Sequence, residues 1–207
     1  MLTSNIKFKN FNILKLRKFK NFKNESWFKK IKLFESLKPN YKYSYSKDQI
    51  KKIRKSKNFR LIGMGGSVLG TQAIYQFLNH KIKKKFIFIN NLNPNLTNTE
   101  KKIKATNIII SKSGNTLETI VNSNLFINQK KNIFITENKE SYLKNLATNL
   151  KAEVIEHKNY IGGRYSVLSE VGMLPAEIMG LNEKKFKRFN YLINNKNFLN
   201  ELIKNVS

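Results

Sequence analysis

Cysteine is absent from the sequence, which excludes a disulfide scaffold, a thiol nucleophile and every cysteine-based zinc or iron–sulfur site. Aspartate occurs once, as Asp48, so a full set of hard oxygen ligands is difficult to assemble. Glu153, Glu156 and His157 are neighbours, but a strand sends Glu156 to the face opposite the other two. No apolar run reaches the ~20 residues that span a bilayer. Lysine and asparagine also interrupt the basic N-terminus too often for a signal-peptide core. These absences point to a cytoplasmic protein with no membrane partner, no metal and no redox cofactor. Glycine is missing from residues 1–57 altogether, and all nine copies fall later.

Negative charge is scarce too: 13 Asp and Glu face 40 Lys and Arg, for a net charge of +27. A basic surplus is the first sign of phosphate-backbone binding. Its composition argues otherwise, because only five of these residues are arginine, the side chain that base-edge and bidentate phosphate recognition favours. Residues 1–60 hold net +16 and the rest +11. Enrichment in Lys, Asn, Ile and Phe with little Arg is what an AT-rich coding sequence yields without selection for a partner. No nucleic-acid motif accompanies it, so no nucleic-acid partner is expected. With 40% hydrophobic residues, including 15 Phe and 8 Tyr, the 207-residue chain can bury the core of one ordinary domain.

Three regions separate along the chain. Residues 1–57 form a basic segment in which Trp27, Ile31 and Phe34 recur at helical spacing, with Phe28 and Leu37 widening the stripe. A second short helix is expected over 47–56. Residues 58–182 form the main domain, where β-rich runs at 59–64, 86–90, 107–111, 132–136 and 152–156 alternate with helical patterns at 67–79, 116–129 and 140–149. The runs are nearly continuous in apolar residues, as strands buried on both faces are. Strand–helix alternation with right-handed crossovers predicts an α/β fold, an open parallel sheet with helices on both faces. Residues 183–207 read as a further helical segment. In such sheets ligands sit beyond the carboxyl ends of the strands, so the chemistry is expected there.

Three strand ends carry distinctive residues. The first strand leads into Gly63-Met-Gly-Gly-Ser-Val-Leu-Gly70 and then a helix, which lets backbone amides face an anion. A dinucleotide fingerprint fails because Val68 stands where glycine is needed and no carboxylate follows about 20 residues on. A Walker A loop fails because Thr71 replaces its lysine. The third strand ends in Ser111-Lys-Ser-Gly-Asn-Thr-Leu-Glu-Thr119, where hydroxyls, an ammonium and a helix N-terminus together suit a phosphate dianion. Asn115 is positioned to cap that helix, with Glu118 reaching back in a capping box. The last strand leads to Gly162-Gly-Arg-Tyr-Ser166, which offers Arg164 as an anion clamp.

Together, Ile62-Gly-Met-Gly-Gly-Ser67, Ser111-Lys-Ser-Gly-Asn-Thr-Leu-Glu-Thr119 and Gly162-Gly-Arg-Tyr-Ser166 resemble the first sugar-isomerase (SIS) domain of glucose-6-phosphate isomerases in order, spacing and position. The resemblance covers about residues 55–181. It implies a three-layer sandwich with a five-stranded parallel sheet, preceded by N-terminal helices. It further implies that Gly66 and Ser67 line the sugar-phosphate site and that Ser111, Lys112, Ser113 and Thr116 hold the phosphate of a hexose 6-phosphate. Arg164 would stabilise negative charge on a cis-enediolate, and the assembly would be a homodimer without cofactor. Gly114 and Asn115 depart from the bulkier or hydroxyl-bearing residues of many relatives.

Isomerisation also needs a base and ring-opening groups. In the family these are a Glu, a His and a Lys in or after a second SIS domain. His80 and His157 read as structural or solvent-facing, and Glu170 and Glu177 lie on a later helix. The chain therefore looks like a substrate-binding half, either a truncated product or a fragment, expected to bind hexose phosphate weakly and to turn it over negligibly. A stand-alone SIS module that senses a phosphosugar is the alternative from the binding class.

Overall fold

Short runs rich in isoleucine and phenylalanine become β1 (Asn58–Gly63), β2 (Lys85–Ile89), β3 (Thr106–Ile110), β4 (Asn132–Thr136) and β5 (Glu153–Glu156) in the computed structural model, which describes residues 31–93, 103–127 and 131–188. All four strand pairings are parallel, in the order β2-β1-β3-β4-β5. The chain moves outward from β1 to β2, then returns past β1 to β3. That reversal makes the carboxyl ends of β1 and β3 the topological switch point, the place where open α/β sheets bind ligands.

Alternating side chains divide the strands between two cores. Phe59, Leu61, Ile108, Ile110, Ile133, Ile135 and Ile155 face one side. There they meet Ile50 and Ile53 of α1 (Lys47–Ile53), Ile74 and Tyr75 of α2 (Leu69–Phe77), and Val171, Leu174 and Ile178 of a helix at Glu170–Ile178. Ile62, Ile109 and Phe134 face the other side, against Ile120 of α3 (Leu117–Asn124) and Leu143 and Ala147 of α4 (Tyr142–Asn149). The helix at Glu170–Ile178 is α5, and α6 (Glu183–Phe186) follows it. Helices thus cover both faces, giving the three-layer sandwich that the strand–helix alternation predicts.

The segment before the sheet folds differently from expectation. Residues Lys32–Leu37 form a 3-10 helix. Ile31, Phe34 and Leu37 recur every third residue, a spacing that stacks at three residues per turn. Trp27 and Phe28 lie outside the described residues. The α1 helix starts at a capping box made by Ser46 and Gln49 and ends at Ile53. Its approach to α5 is polar as well as apolar, since all nine residues of α5 are buried, including Glu170 and Glu177. The Tyr41 hydroxyl donates to both Glu170 oxygens at 2.9 and 3.0 Å. Tyr45 donates to Glu177 at 2.8 Å, and the Lys47 ammonium reaches the same carboxylate at 2.6 Å. Burial first, and then these carboxylates, push the Tyr41 and Tyr45 hydroxyls far above the usual phenol range. Glu170 and Glu177 are therefore committed to the N-terminal segment.

A second buried polar centre ties the sheet to the turn that follows α3. Arg60 is fully buried, its guanidinium donating to Asn107 Oδ1 at 2.9 Å and to the Ile103 carbonyl at 3.1 Å. It also lies over the Phe126 ring, 3.9 Å from the centroid. Asn107 continues the network to the Phe126 carbonyl and Asn132. Arg60→Leu keeps the apolar stem but strips the buried acceptors of their donor and removes the cation–π contact. The expected loss is about 3 kcal/mol, read as a lower urea midpoint at unchanged slope. An unaltered midpoint would show that the network adds nothing to stability.

Candidate functional site

The loop after β1 is built on close backbone approach. A Cβ on Gly63 would lie 2.8 Å from the Ile110 carbonyl oxygen of the neighbouring strand, so only glycine lets β1 end beside β3. A 3-10 turn at Gly65–Ser67 leads into α2. A Cβ on Gly66 would meet the Gly163 carbonyl oxygen at 2.3 Å and the Arg164 nitrogen at 3.1 Å. The segment after β5 thus crosses back over the sheet edge and presses on the loop after β1. Its residues Gly163–Leu168 form a 3-10 helix. Ser166 Oγ donates to the Gly163 carbonyl at 2.7 Å and lies 3.3 Å from the Gly66 carbonyl. Arg164 stays exposed. Gly66, half-buried Ser67 and Arg164 are therefore brought together.

The loop after β3 gathers hydroxyls. Ser111 Oγ lies 2.9 Å from Thr116 Oγ1, and Ser113 Oγ lies 3.5 Å from the same oxygen. Ser111 accepts the Gly114 amide and Ser113 the Asn115 amide, each at 3.2 Å. Thr116 is the N-cap of α3, yet no side chain caps that helix. Its first amides and positive dipole end are thus available to an anion. The capping box expected of Asn115 and Glu118 is not formed. Asn115 Oδ1 instead accepts the Tyr142 amide at 2.9 Å, and the Gly114 carbonyl accepts that of Leu143 at 3.0 Å. The loop caps its neighbour α4 because Gly114, at φ +69°, turns Asn115 toward that helix.

Lys112 points elsewhere. Its ammonium donates to the Asn159 carbonyl at 2.7 Å and lies 3.5 Å from Glu137 Oε1. Glu137 Oε2 also pairs with Lys139 at 2.7 Å. Burial works to raise the Glu137 carboxyl, but Lys139 and then Lys112 outweigh it and hold the group below its ordinary range. An opening of about 330 Å³ lies beside this pair, lined by Glu137, Lys139, Glu156, His157, Lys158 and Tyr160 among others. None of the residues expected at the site lines it.

His157, read as structural or solvent-facing, is buried, whereas His80 is exposed. The Nδ1 of His157 lies 3.1 Å from the Lys158 carbonyl, which can only accept, so Nδ1 carries the hydrogen. Burial lowers its pKa and the Lys112 charge adds to that, against the opposing pull of the Lys158 carbonyl and Glu137. The ring is therefore neutral at physiological pH. Sequence reasoning missed Glu137 and Asn159. Glu137 stands one residue beyond the end of β4, a position at the sheet's ligand edge that was the available signal.

These features define an α/β domain whose switch point gathers hydroxyls and the start of a helix beside a turn that carries an exposed arginine. The phosphoglucose isomerase family profile matches residues 43–201, and the chain belongs to that family. A glucose-6-phosphate isomerase of Methanocaldococcus jannaschii is 35% identical over 155 residues, covering 69% of this chain and 38% of the relative. That of Staphylococcus saprophyticus is 36% identical over 151 residues, covering 62% and 34%. The chain thus spans little more than a third of the length of these relatives. Among solved structures, a hypothetical protein from Thermus thermophilus matches with a TM-score of 0.67 at 22% identity, over 86% of this chain and 47% of that one. At that identity the likeness speaks to the fold. No helix among the described residues is long and apolar enough to cross a membrane.

Two outcomes follow from this geometry. Gly66→Ala forces a methyl into the Gly163 carbonyl and should lower the melting temperature by several degrees. Gly163→Ala meets nothing within 4 Å and should leave it nearly unchanged. Equal effects in calorimetry would contradict the backbone contact. Acid should also destabilise the fold in two stages. His157 is held neutral, so its contribution is complete above the ordinary value of 6.5 and fades as pH falls below it. Glu137 is held ionised, so its contribution persists to lower pH and fades as the pH drops through its depressed pKa. In urea titrations, His157→Gln should flatten the loss of stability that sets in as the pH falls below the ordinary value of 6.5 and leave the Glu137 loss intact. An unchanged slope would mean that His157 titrates alike in the folded and unfolded chain.

Proposed function

We propose that the chain forms the phosphate-binding half of a glucose-6-phosphate isomerase, acting on glucose 6-phosphate and fructose 6-phosphate. The observation that carries this reading is the convergence of Ser111, Ser113 and Thr116 hydroxyls at the uncapped N-terminus of α3. This cluster adjoins a glycine loop fastened to the Arg164 segment. Neutral donors and helix amides suit a phosphate dianion held at one end of a small sugar.

In this reading Ser67 and Gly66 line the sugar, and the three hydroxyls with the first amides of α3 fix the phosphate. Fixing that end holds the reacting carbons in place and lowers the entropic part of the barrier. Arg164, exposed on a turn pressed against the glycine loop, meets the charge that develops as a proton leaves C2. The base and ring-opening groups belong to the part of the family fold that follows the first SIS domain. Homodimer assembly and a cytoplasmic location complete the proposal.

The test is titration calorimetry with glucose 6-phosphate, fructose 6-phosphate and unphosphorylated glucose. The unaltered chain should bind both phosphosugars and bind glucose far more weakly. Combining Ser113→Ala with Thr116→Val should weaken phosphosugar binding by about tenfold or more, the worth of one or two charge-assisted hydrogen bonds. Binding as tight as that of the unaltered chain would remove the hydroxyl cluster from the site.

A further inference from the structure

We propose that Lys112 acts as a positioning residue, a tether that holds the Arg164 segment against the phosphate loop, rather than as a ligand of the phosphate. The inference rests on the phosphate-site reading above and assigns Lys112 a different task within it.

The segment between β5 and the Gly163–Leu168 turn is fastened by buried His157 and Ile161, by the Ile161 amide on the Lys158 carbonyl and by a hydrogen bond from Tyr160 to Glu35. Among the bonds described, only Lys112 ties it to the loop after β3. Its start is held by the His157 amide, which donates to the Thr136 carbonyl at 2.8 Å. Its end is held by the packing of Gly163 on Gly66 and by Ser166. Between these anchors the Lys112 ammonium donates to the Asn159 carbonyl at 2.7 Å, a short charge-assisted bond. Asn159 lies five positions before Arg164.

Lys112 is itself fixed from behind. Its carbonyl accepts the Glu137 amide at 3.1 Å and the Thr136 hydroxyl at 3.4 Å. Glu137 stands 3.5 Å from the ammonium and offsets its charge. The side chain is 32% exposed, so it is drawn against the protein and only partly open to solvent. The Asn159 carbonyl and the Glu137 carboxylate engage two of the ammonium's three donors, which orients it on the Arg164 segment. The phosphate loop meanwhile retains three hydroxyls and the amides of α3. Phosphate recognition and arginine placement are thereby linked through one side chain.

The test compares Lys112→Met and Lys112→Arg with the unaltered chain. Amide hydrogen exchange across residues 158–168 should accelerate about tenfold in Lys112→Met and return toward the original rate in Lys112→Arg, which keeps a donor. Unchanged exchange overturns the tether. Calorimetry with inorganic phosphate and glucose 6-phosphate adds a second reading. The tether predicts that Lys112→Met keeps phosphate affinity within about threefold but weakens glucose 6-phosphate about tenfold, because only the sugar reaches Arg164. Equal losses for both ligands would mean that the ammonium holds phosphate directly, and the proposal would fail. Glu137→Gln sharpens the contrast: a direct ligand released from its carboxylate binds phosphate more tightly, whereas a tether leaves that affinity unchanged. If the unaltered chain binds neither ligand, the phosphate-site reading falls while hydrogen exchange still decides the tether.

Discussion

The contact on which the candidate site depends is made by two glycines. Gly66 and Gly163 lie about a hundred residues apart, and a single methyl on the first would fall 2.3 Å from the carbonyl oxygen of the second. No side chain can hold two backbones that closely, so the approach requires glycine on the β1 loop. Its effect is to bring the segment after an edge strand back to the centre of the sheet. Without it the exposed Arg164 would remain beyond β5, far from the switch point between β1 and β3. Gly172 serves the same end from below, since a Cβ there would lie 2.0 Å from the Val167 carbonyl oxygen. The arginine-bearing turn is thus clamped between a loop and the helix that follows it.

Much of this was legible in the sequence. Near-continuous apolar runs give parallel strands because both faces of the sheet are buried, and the five runs fall within a residue or two of the observed strands. The glycine and hydroxyl motifs were legible because backbone conformation and helix starts are local matters. What stayed hidden was set by distant partners. The carboxylates of α5 meet Tyr41 and Tyr45, separated from them by 129 and 132 positions, and nothing near Glu170 announces that. Asn115 followed the local capping rule on paper, but Gly114 swings it to α4. Tertiary geometry overrode a local preference there.

Arg60 illustrates the same limit. A charged residue at the start of an apolar strand reads as a solvent-facing end, yet it is fully buried. Burying a guanidinium is costly unless its donors are met. Asn107 and the Ile103 carbonyl take donors from its two terminal nitrogens, and the face of Phe126 covers the guanidinium plane. All three come from other elements, so no pattern within β1 could report them.

The large positive charge bears on recognition less than its size suggests. Several cations among the described residues are locally spent: Lys47 on Glu177 and Glu183, Lys139 on Glu137, Lys158 on Glu156. The remaining surface lysines attract any anion, and that attraction fades over about 8 Å at physiological ionic strength. It cannot distinguish a sugar phosphate from another polyanion. Discrimination needs donors whose positions match the tetrahedral oxygens of one phosphate and whose strength survives salt. In the proposed site those donors are the Ser111 and Ser113 hydroxyls, 2.9 and 3.5 Å from that of Thr116 at the start of α3. A lysine turned aside to brace the neighbouring segment fits the same logic. On the proposed reading, selectivity comes from fixed dipoles, and the ammonium holds the fold where the protein already has positive field in excess.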